Sequence, residues 1–242
     1  MSGLDWLIAR PIAHRGLHDA ANGVIENTPS AFLAAIAAGY GIECDLQISA
    51  DGEAVVYHDE TLDRLTEGYG RLDTMTAAEL GRIAFKATAD RIVTLGELCD
   101  FVAGRTSLVV EIKSRFDGDC RLAACVAKVL SGYRGPAAAM SFDAQMVAAL
   151  RAITPRVARG LLAPSRRRGR PLAEPALARG WHALRANPQF IAYSVTDLPA
   201  ALPMMARKLW GLPVLTWVVR TDAEHHKAKR YADQMIFEGF RP

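Results

Sequence analysis

The chain has 242 residues, 50% of them hydrophobic, and a formal net charge of +3. That length supports one large core, and so small a charge gives no reason to expect a nucleic-acid partner. Its four cysteines, Cys44, Cys99, Cys120 and Cys125, show neither a C-x-x-C pair nor metal-ligand spacing, so reduced thiols in a cytoplasmic protein are expected.

The opening MSGLDWLIARP is too short and too charged for a signal peptide, and no apolar run approaches membrane-spanning length. With no linker to divide it, residues 1–242 read as one domain. Arg10 to His14 (RPIAH) reads as a short buried strand ending in His14-Arg15-Gly16. Behind a loop marked by Asn22-Gly23, Asn27-Thr28 before Pro29 predicts a capped helix start, and Gly39 its stop. From Gly41 onward, Ile42, Cys44, Leu46 and Ile48 alternate with polar residues, so Glu43 and Asp45 share one face of a second strand. Asp51-Gly52 predicts a two-residue hairpin turn. Closed around that pair, facing residues have numbers summing to 103, which sets His58 opposite Asp45 with Cβ atoms about 5 Å apart. A slip of one residue would turn His58 to the other face.

Glu60 to Asp90 is irregular, holds a capping box at Thr76 to Glu79, and reads as part of a small insertion over about 51–92. A second box, Thr94 to Glu97, opens a helix through Phe101 that stops at Gly104, ahead of a strand from Ser107 to Lys113 (SLVVEIK). The alternation continues with a helix over about 118–130, a strand over 137–142, a helix from Asp143 to near Pro155 and a strand over 157–162. A basic run from Arg166 to Arg170 follows, read as a solvated loop or, alternatively, a phosphate or membrane-surface contact. Then come a helix over about 172–184, a strand over 190–194, a helix from Ala200 to Leu209 with prolines near its start, and a strand over 214–219. A third capping box, Thr221 to Glu224, and a last strand over 234–237 complete the chain. Eight strands alternating with helices predict an α/β protein of the (β/α)8 TIM-barrel type with a small insertion after the second strand. No G-x-G-x-x-G follows the first strand, which argues against an open nucleotide-binding sheet.

In such a barrel, reactive side chains sit at the C-terminal strand ends. There the chain sets His14 and Arg15, then Glu43 and Asp45, then His58 on the hairpin, then Glu111 and Lys113 on one face of the third barrel strand. Three carboxylates without a cysteine or histidine cluster suit a hard divalent cation, Mg²⁺ or Ca²⁺ rather than Zn²⁺. Arg15 and Lys113 add fixed positive charge, and the two histidines add groups that exchange protons near neutrality. That set matches a phosphodiester, with one histidine as base and the other as acid in an order the spacing leaves open.

With IAHRG at 12–16, ENT at 26–28, ECDLQ at 43–47, DGEAVVYHDETLDRLTEGYG at 51–70, VTLGEL at 93–98 and VEIK at 110–113, the chain resembles the glycerophosphodiester phosphodiesterases. The resemblance implies a divalent metal on Glu43, Asp45 and Glu111, His14 and His58 as the acid and base pair, and phosphate contacts from Arg15 and Lys113. It further implies release of an alcohol and glycerol 3-phosphate from a small glycerophosphodiester. Trp217 in VLTWVVR looks like the family's tryptophan lining the pocket, whereas Arg220 stands where an asparagine is usual and FEGFRP, with Glu238, replaces a Thr-Asp-x-Pro pattern. His225-His226 reads as solvated. The alternatives are a lysophospholipase D-type phosphodiesterase and a non-catalytic phosphate-binding barrel. The preferred alcohol, the choice of metal and the oligomeric state are left open by the sequence.

Overall fold

Side-chain alternation along the strands sorts the apolar residues of this chain into an inner and an outer core, and that sorting closes the sheet. The computed structural model describes residues 3–163 and 185–242. Its strands are β1 (Ile12–Ala13), β2 (Gly41–Ile48), β3 (Ala54–Val56), β4 (Leu108–Ile112), β5 (Ala137–Ser141), β6 (Ala158–Leu162), β7 (Phe190–Ser194), β8 (Val214–Val219) and β9 (Gln234–Phe237). All pair in parallel except β3, and β1 pairs with both β2 and β9, so eight strands form the closed (β/α)8 barrel expected. Ile12, Val109, Met140, Phe190, Leu215 and Ile236 fill its interior. On the outer face Cys44, Leu46, Val110 and Ile112 pack against helices that include α4 (Leu95–Val102) and α5 (Arg121–Gly132).

One inward position must stay small. A Cβ on Gly160 would lie 2.2 Å from the Phe190 ring, so the glycine on β6 makes room for the aromatic on β7. The N-terminal end of the barrel is closed by α1 (Asp5–Ile8), which the sequence reading did not anticipate. Leu4 and Leu7 enter the interior core, and Gln234 Nε2 donates to the Ile8 carbonyl at 2.8 Å.

The boxes at Thr76 and Thr94 form as expected, opening α3 (Ala77–Leu80) and α4. Two other cap expectations need correction. The Thr28 hydroxyl donates to the Ile25 carbonyl and leaves α2 (Pro29–Ala37) without a side-chain cap. The Thr221 hydroxyl accepts from the Glu224 N–H, but the Glu224 carboxylate accepts from the Arg220 N–H instead of completing the box. The remaining described helices, α6 (Ala144–Ile153), α7 (Ala201–Leu209) and α8 (Asp222–Tyr231), fall where the alternation places them. The expected helix over 172–184 and the basic run Arg166 to Arg170 lie outside the described residues.

The hairpin register also differs from expectation. Leu46 faces Val56 and Ile48 faces Ala54, so facing numbers sum to 102. The connection is a three-residue loop, Ala50-Asp51-Gly52, closed by the Ser49 N–H to the Glu53 carbonyl, with Gly52 at φ +85°. Tyr57, not His58, therefore stands opposite Asp45, and its N–H donates to the Asp45 carbonyl at 3.0 Å. Continued in regular form, β3 would turn His58 away from Asp45; it stops at Val56, and the chain bends into an insertion with its own core of Tyr57, Leu62, Leu72, Leu80, Phe85 and Ile92.

Candidate active site at the C-terminal end of the barrel

Strands β2 and β4 run side by side with Asp45 level with Glu111 and Glu43 level with Val109. The register thus brings Glu43, Asp45 and Glu111 together, with one oxygen of each within 4.8 Å of the others, and all three are buried. Two carboxylate charges at that separation repel by about 3 kcal/mol at an effective dielectric of about 20. Burial, and then the charges of Asp45 and Glu111, push the Glu43 carboxyl well above its ordinary pKa. Glu111 is raised by burial as well, against the pull of Lys113. At Asp45 burial also opposes ionisation, but Lys113 and Arg15 outweigh it and hold the group well below the usual carboxylate range.

Lys113 leaves β4 two residues after Glu111 and returns to the same face, with Nζ 2.6 Å from Glu111 Oε1 and 2.7 Å from Asp45 Oδ1. Burial alone would favour its neutral form, yet the two acids raise its pKa and keep it charged. Arg15 and Asn27 lie in separate turns at φ of 57° and 58°, joined by the Asn27 N–H donating to the Arg15 carbonyl at 2.9 Å. The Arg15 backbone N–H donates to Glu43 Oε2 at 3.0 Å, its Nε lies 3.1 Å from Asp45 Oδ2, and its Nη1 donates to Glu26 Oε1 at 2.7 Å. Gly16, at φ +78°, keeps the turn against α2, where any Cβ would meet Ala31 at 2.8 Å. The Asn27 amide clasps Asp45, donating to Oδ2 at 2.9 Å and accepting from its backbone N–H at 3.2 Å.

The two histidines flank this cluster in similar settings. His14 Nδ1 is bonded to Glu238 Oε2, and its Nε2 lies 4.0 Å from Glu43 Oε2. His58 reaches the site from the bend after β3, its carbonyl accepting from Gln47 Nε2 at 2.9 Å and its Nδ1 lying 2.6 Å from Asp59 Oδ1. Burial lowers the pKa of both rings; Glu238 and Asp45 oppose the shift at His14, and Asp45 and Asp59 oppose it at His58. Each carboxylate partner is itself held by an arginine. Arg64 Nε donates to Asp59 Oδ2 at 2.5 Å and its Nη2 to Glu26 Oε1 at 2.7 Å, while Arg220 Nε donates to Glu238 Oε1 at 2.6 Å.

The structure therefore brings together His14, Arg15, Glu43, Asp45, His58, Glu111 and Lys113. Trp217 joins the apolar side of the barrel, edge-on to Phe142 at 5.4 Å between ring centroids. Its indole N–H is buried with no hydrogen-bond partner among the described residues. Sequence reasoning gave no role to Glu26, Asn27, Asp59 or Arg64, and left Glu238 and Arg220 open. All four of the first group lie in the motifs ENT and DGEAVVYHDETLDRLTEGYG, and Asp59 also directly follows His58. The three carboxylates offer only oxygen donors, and burial raises the pKa of Glu43 and Glu111, so added positive charge would stabilise their ionised forms, a donor set that fits a hard divalent cation.

Residues 14–237 match the model of the glycerophosphoryl diester phosphodiesterase family. A glycerophosphodiester phosphodiesterase of Caldanaerobacter subterraneus is 42% identical over 111 residues, a stretch covering 43% of this chain and 44% of that protein. Glycerophosphodiester phosphodiesterase 1 of Bos taurus is 45% identical over 74 residues, covering 30% and 21% respectively. The matched stretch thus spans less than half the length of these curated relatives. Among solved structures, a phosphodiesterase of Oleispira antarctica in complex with the product sn-glycerol-3-phosphate superposes with a TM-score of 0.77 at 23% identity, covering 94% of this chain and 91% of that one. The glycerophosphodiester phosphodiesterase of Thermotoga maritima gives a TM-score of 0.72 at 25% identity, with 93% and 92% covered.

Proposed function

The chain belongs to the glycerophosphoryl diester phosphodiesterase family, and on that premise we propose that it hydrolyses a glycerophosphodiester to an alcohol and glycerol 3-phosphate in a metal-dependent reaction at the site described. One observation carries this reading: three buried carboxylates converge with two cationic side chains between two histidines whose Nδ1 atoms are already engaged. Glu43, Asp45 and Glu111 would hold the divalent ion, Mg²⁺ or Ca²⁺, which when bound supplies Lewis-acid stabilisation to a non-bridging phosphoryl oxygen.

Arg15 and Lys113 supply the remaining positive charge for the phosphoryl oxygens as charge builds in the transition state. Lys113 Nζ stands beside Asp45 and Glu111, so its charge lies at the rim of the carboxylate cluster where the phosphoryl group would bind. His14 and His58 both present Nε2, so one takes the proton of the attacking oxygen and the other protonates the departing alkoxide. Their lowered pKa values favour the neutral ring at neutral pH, the form a base requires. Trp217 supplies an apolar wall to the pocket. A small-molecule substrate, the lack of a nucleic-acid partner and a cytoplasmic location belong to the same reading; no described helix is long and apolar enough to cross a membrane. The lysophospholipase D-type and non-catalytic readings are not favoured.

The test is release of glycerol 3-phosphate from glycerophosphocholine and glycerophosphoethanolamine, after chelation and again with Mg²⁺ or Ca²⁺ restored. Release that returns with the cation supports the proposal. No release with either cation defeats it.

A further inference from the structure

Strand β9 lies between β8 and β1 where the barrel closes, so a side chain leaving its C-terminal end can reach both neighbours. Alternation from Ile236, which packs in the barrel interior, carries Glu238 to the same inner face, and the Glu238 N–H extends the ladder to the Val219 carbonyl at 3.0 Å. Its carboxylate spans the closure. Oε2 is bonded to His14 Nδ1 at the end of β1, and Oε1 accepts from Arg220 Nε, which follows β8, at 2.6 Å. Arg220 is anchored in turn through its backbone N–H, which donates to Glu224 Oε2 at 2.8 Å in the first turn of α8. His18 Nε2 is 3.8 Å from the same Glu238 oxygen, beyond hydrogen-bond reach, so the second hold on the carboxylate is Arg220's.

A neutral imidazole carries one N–H, and an ionised carboxylate can only accept. Glu238 is kept well below its ordinary pKa by His14, His18 and Arg220 against its own burial, and because its Oε2 is bonded to Nδ1, the proton of a neutral His14 must sit on Nδ1. That leaves the Nε2 lone pair free on the side of the carboxylate cluster. We propose that Glu238, clamped by Arg220, is the positioning residue that fixes the tautomer and ring orientation of His14, and that Arg220 acts through Glu238 and not on the substrate. The inference rests on the reading of His14 as a proton-transfer group. It gives a joint purpose to the two positions where this chain departs from the pattern it resembles: a longer acid and a cation stand in place of an aspartate and an asparagine.

The experiment uses the full chain with Mg²⁺ present and compares wild type with Glu238→Ala, Arg220→Gln and the double variant. Imidazole ¹⁵N spectra, with His14 assigned by the signals lost in His14→Asn, report the tautomer whether or not turnover is measured. The wild-type ring is expected as Nδ1–H, and the Glu238→Ala ring is expected to regain the Nε2–H form. On glycerophosphocholine, Glu238→Ala is expected to lower kcat by about 10–100-fold with KM within about twofold, as loss of a positioning carboxylate does. Arg220→Gln is expected to lower kcat less, and to add nothing in the Glu238→Ala background. Glu238→Gln, of the same shape, replaces the alanine variant should that one fail to fold. An Nε2–H tautomer in the wild type would overturn the proposal. So would an Arg220→Gln effect that appears in KM or persists undiminished without Glu238. An inactive wild type would instead defeat the hydrolytic reading, and the tautomer would still decide this one.

Discussion

Replacing Lys113 with methionine tests the electrostatics of the site without touching a carboxylate. Lys113 Nζ is the cation nearest both Asp45 and Glu111, at 2.7 and 2.6 Å. Removing one partner of a buried ion pair typically costs about 3–5 kcal/mol, because the other charge is left uncompensated. For a chain of this length each kcal/mol moves Tm by about 2–4 °C, so Lys113→Met in chelator is expected to melt about 10 °C below wild type. A divalent cation would supply the charge the lysine gave up. Addition of millimolar Mg²⁺ or Ca²⁺ should therefore raise the Tm of the variant by more than that of wild type, while turnover stays low because the phosphate has lost a contact. The assay is thermal unfolding of both proteins across a cation titration. Equal cation shifts in the two proteins, or none in either, would refute the reasoning that Lys113 and a metal ion neutralise the same two acids, Asp45 and Glu111.

His14→Ala and His58→Ala are each expected to lower turnover by about two to four powers of ten while keeping the cation-dependent rise in Tm; full activity in either variant removes that histidine from proton transfer. Asp45→Asn probes pH dependence. Because the folded pKa of Asp45 is depressed below its unfolded value, its contribution is present above about pH 4 and lost as pH falls toward the folded value. The stability gap between wild type and variant, measured by urea unfolding, should therefore shrink on acidification below pH 4; a constant gap would show that Asp45 ionises in the folded protein as it does unfolded. Gly160→Ala is expected to cost about 1–3 kcal/mol, since its Cβ would stand 2.2 Å from the Phe190 ring. An unchanged Tm would mean that Phe190 yields without strain.

The strands over 190–194, 214–219 and 234–237 were legible to the residue, because each is a short apolar run bounded by turn residues on both sides. Six of the seven ionisable residues of the candidate site were legible for a related reason: strand period fixes the face of Glu43 against Asp45 and of Glu111 against Lys113, and strand ends in a barrel share one rim. The hairpin register was not. Asp-Gly fits a two-residue turn and also a three-residue loop with glycine in the left-handed region, and only packing of Leu46 and Ile48 against Val56 and Ala54 decides between them. His58 arrives at the site although the register that pointed to it was one residue out. Helix α1 is a single turn, too short to show a period. Glu238 was the hardest to place, since its bond to His14 joins residues 224 apart in the chain and forms only when the barrel closes.

Because β3 ends at Val56, the two histidines are carried by different bodies. His14 is fixed to the barrel rim, whereas His58 rides on the insertion, which has a separate core of Leu62, Leu72, Leu80 and Phe85. The distance between the two rings is therefore a docking parameter, set by how the insertion seats on the barrel. Arg64 is one latch of that seating, beside the Arg115–Asp73 pair: from the insertion it reaches Glu26, which also bonds Arg15. A change of volume in the core of the insertion would reset the gap between the histidines as a shim resets the jaws of a clamp, without touching either ring.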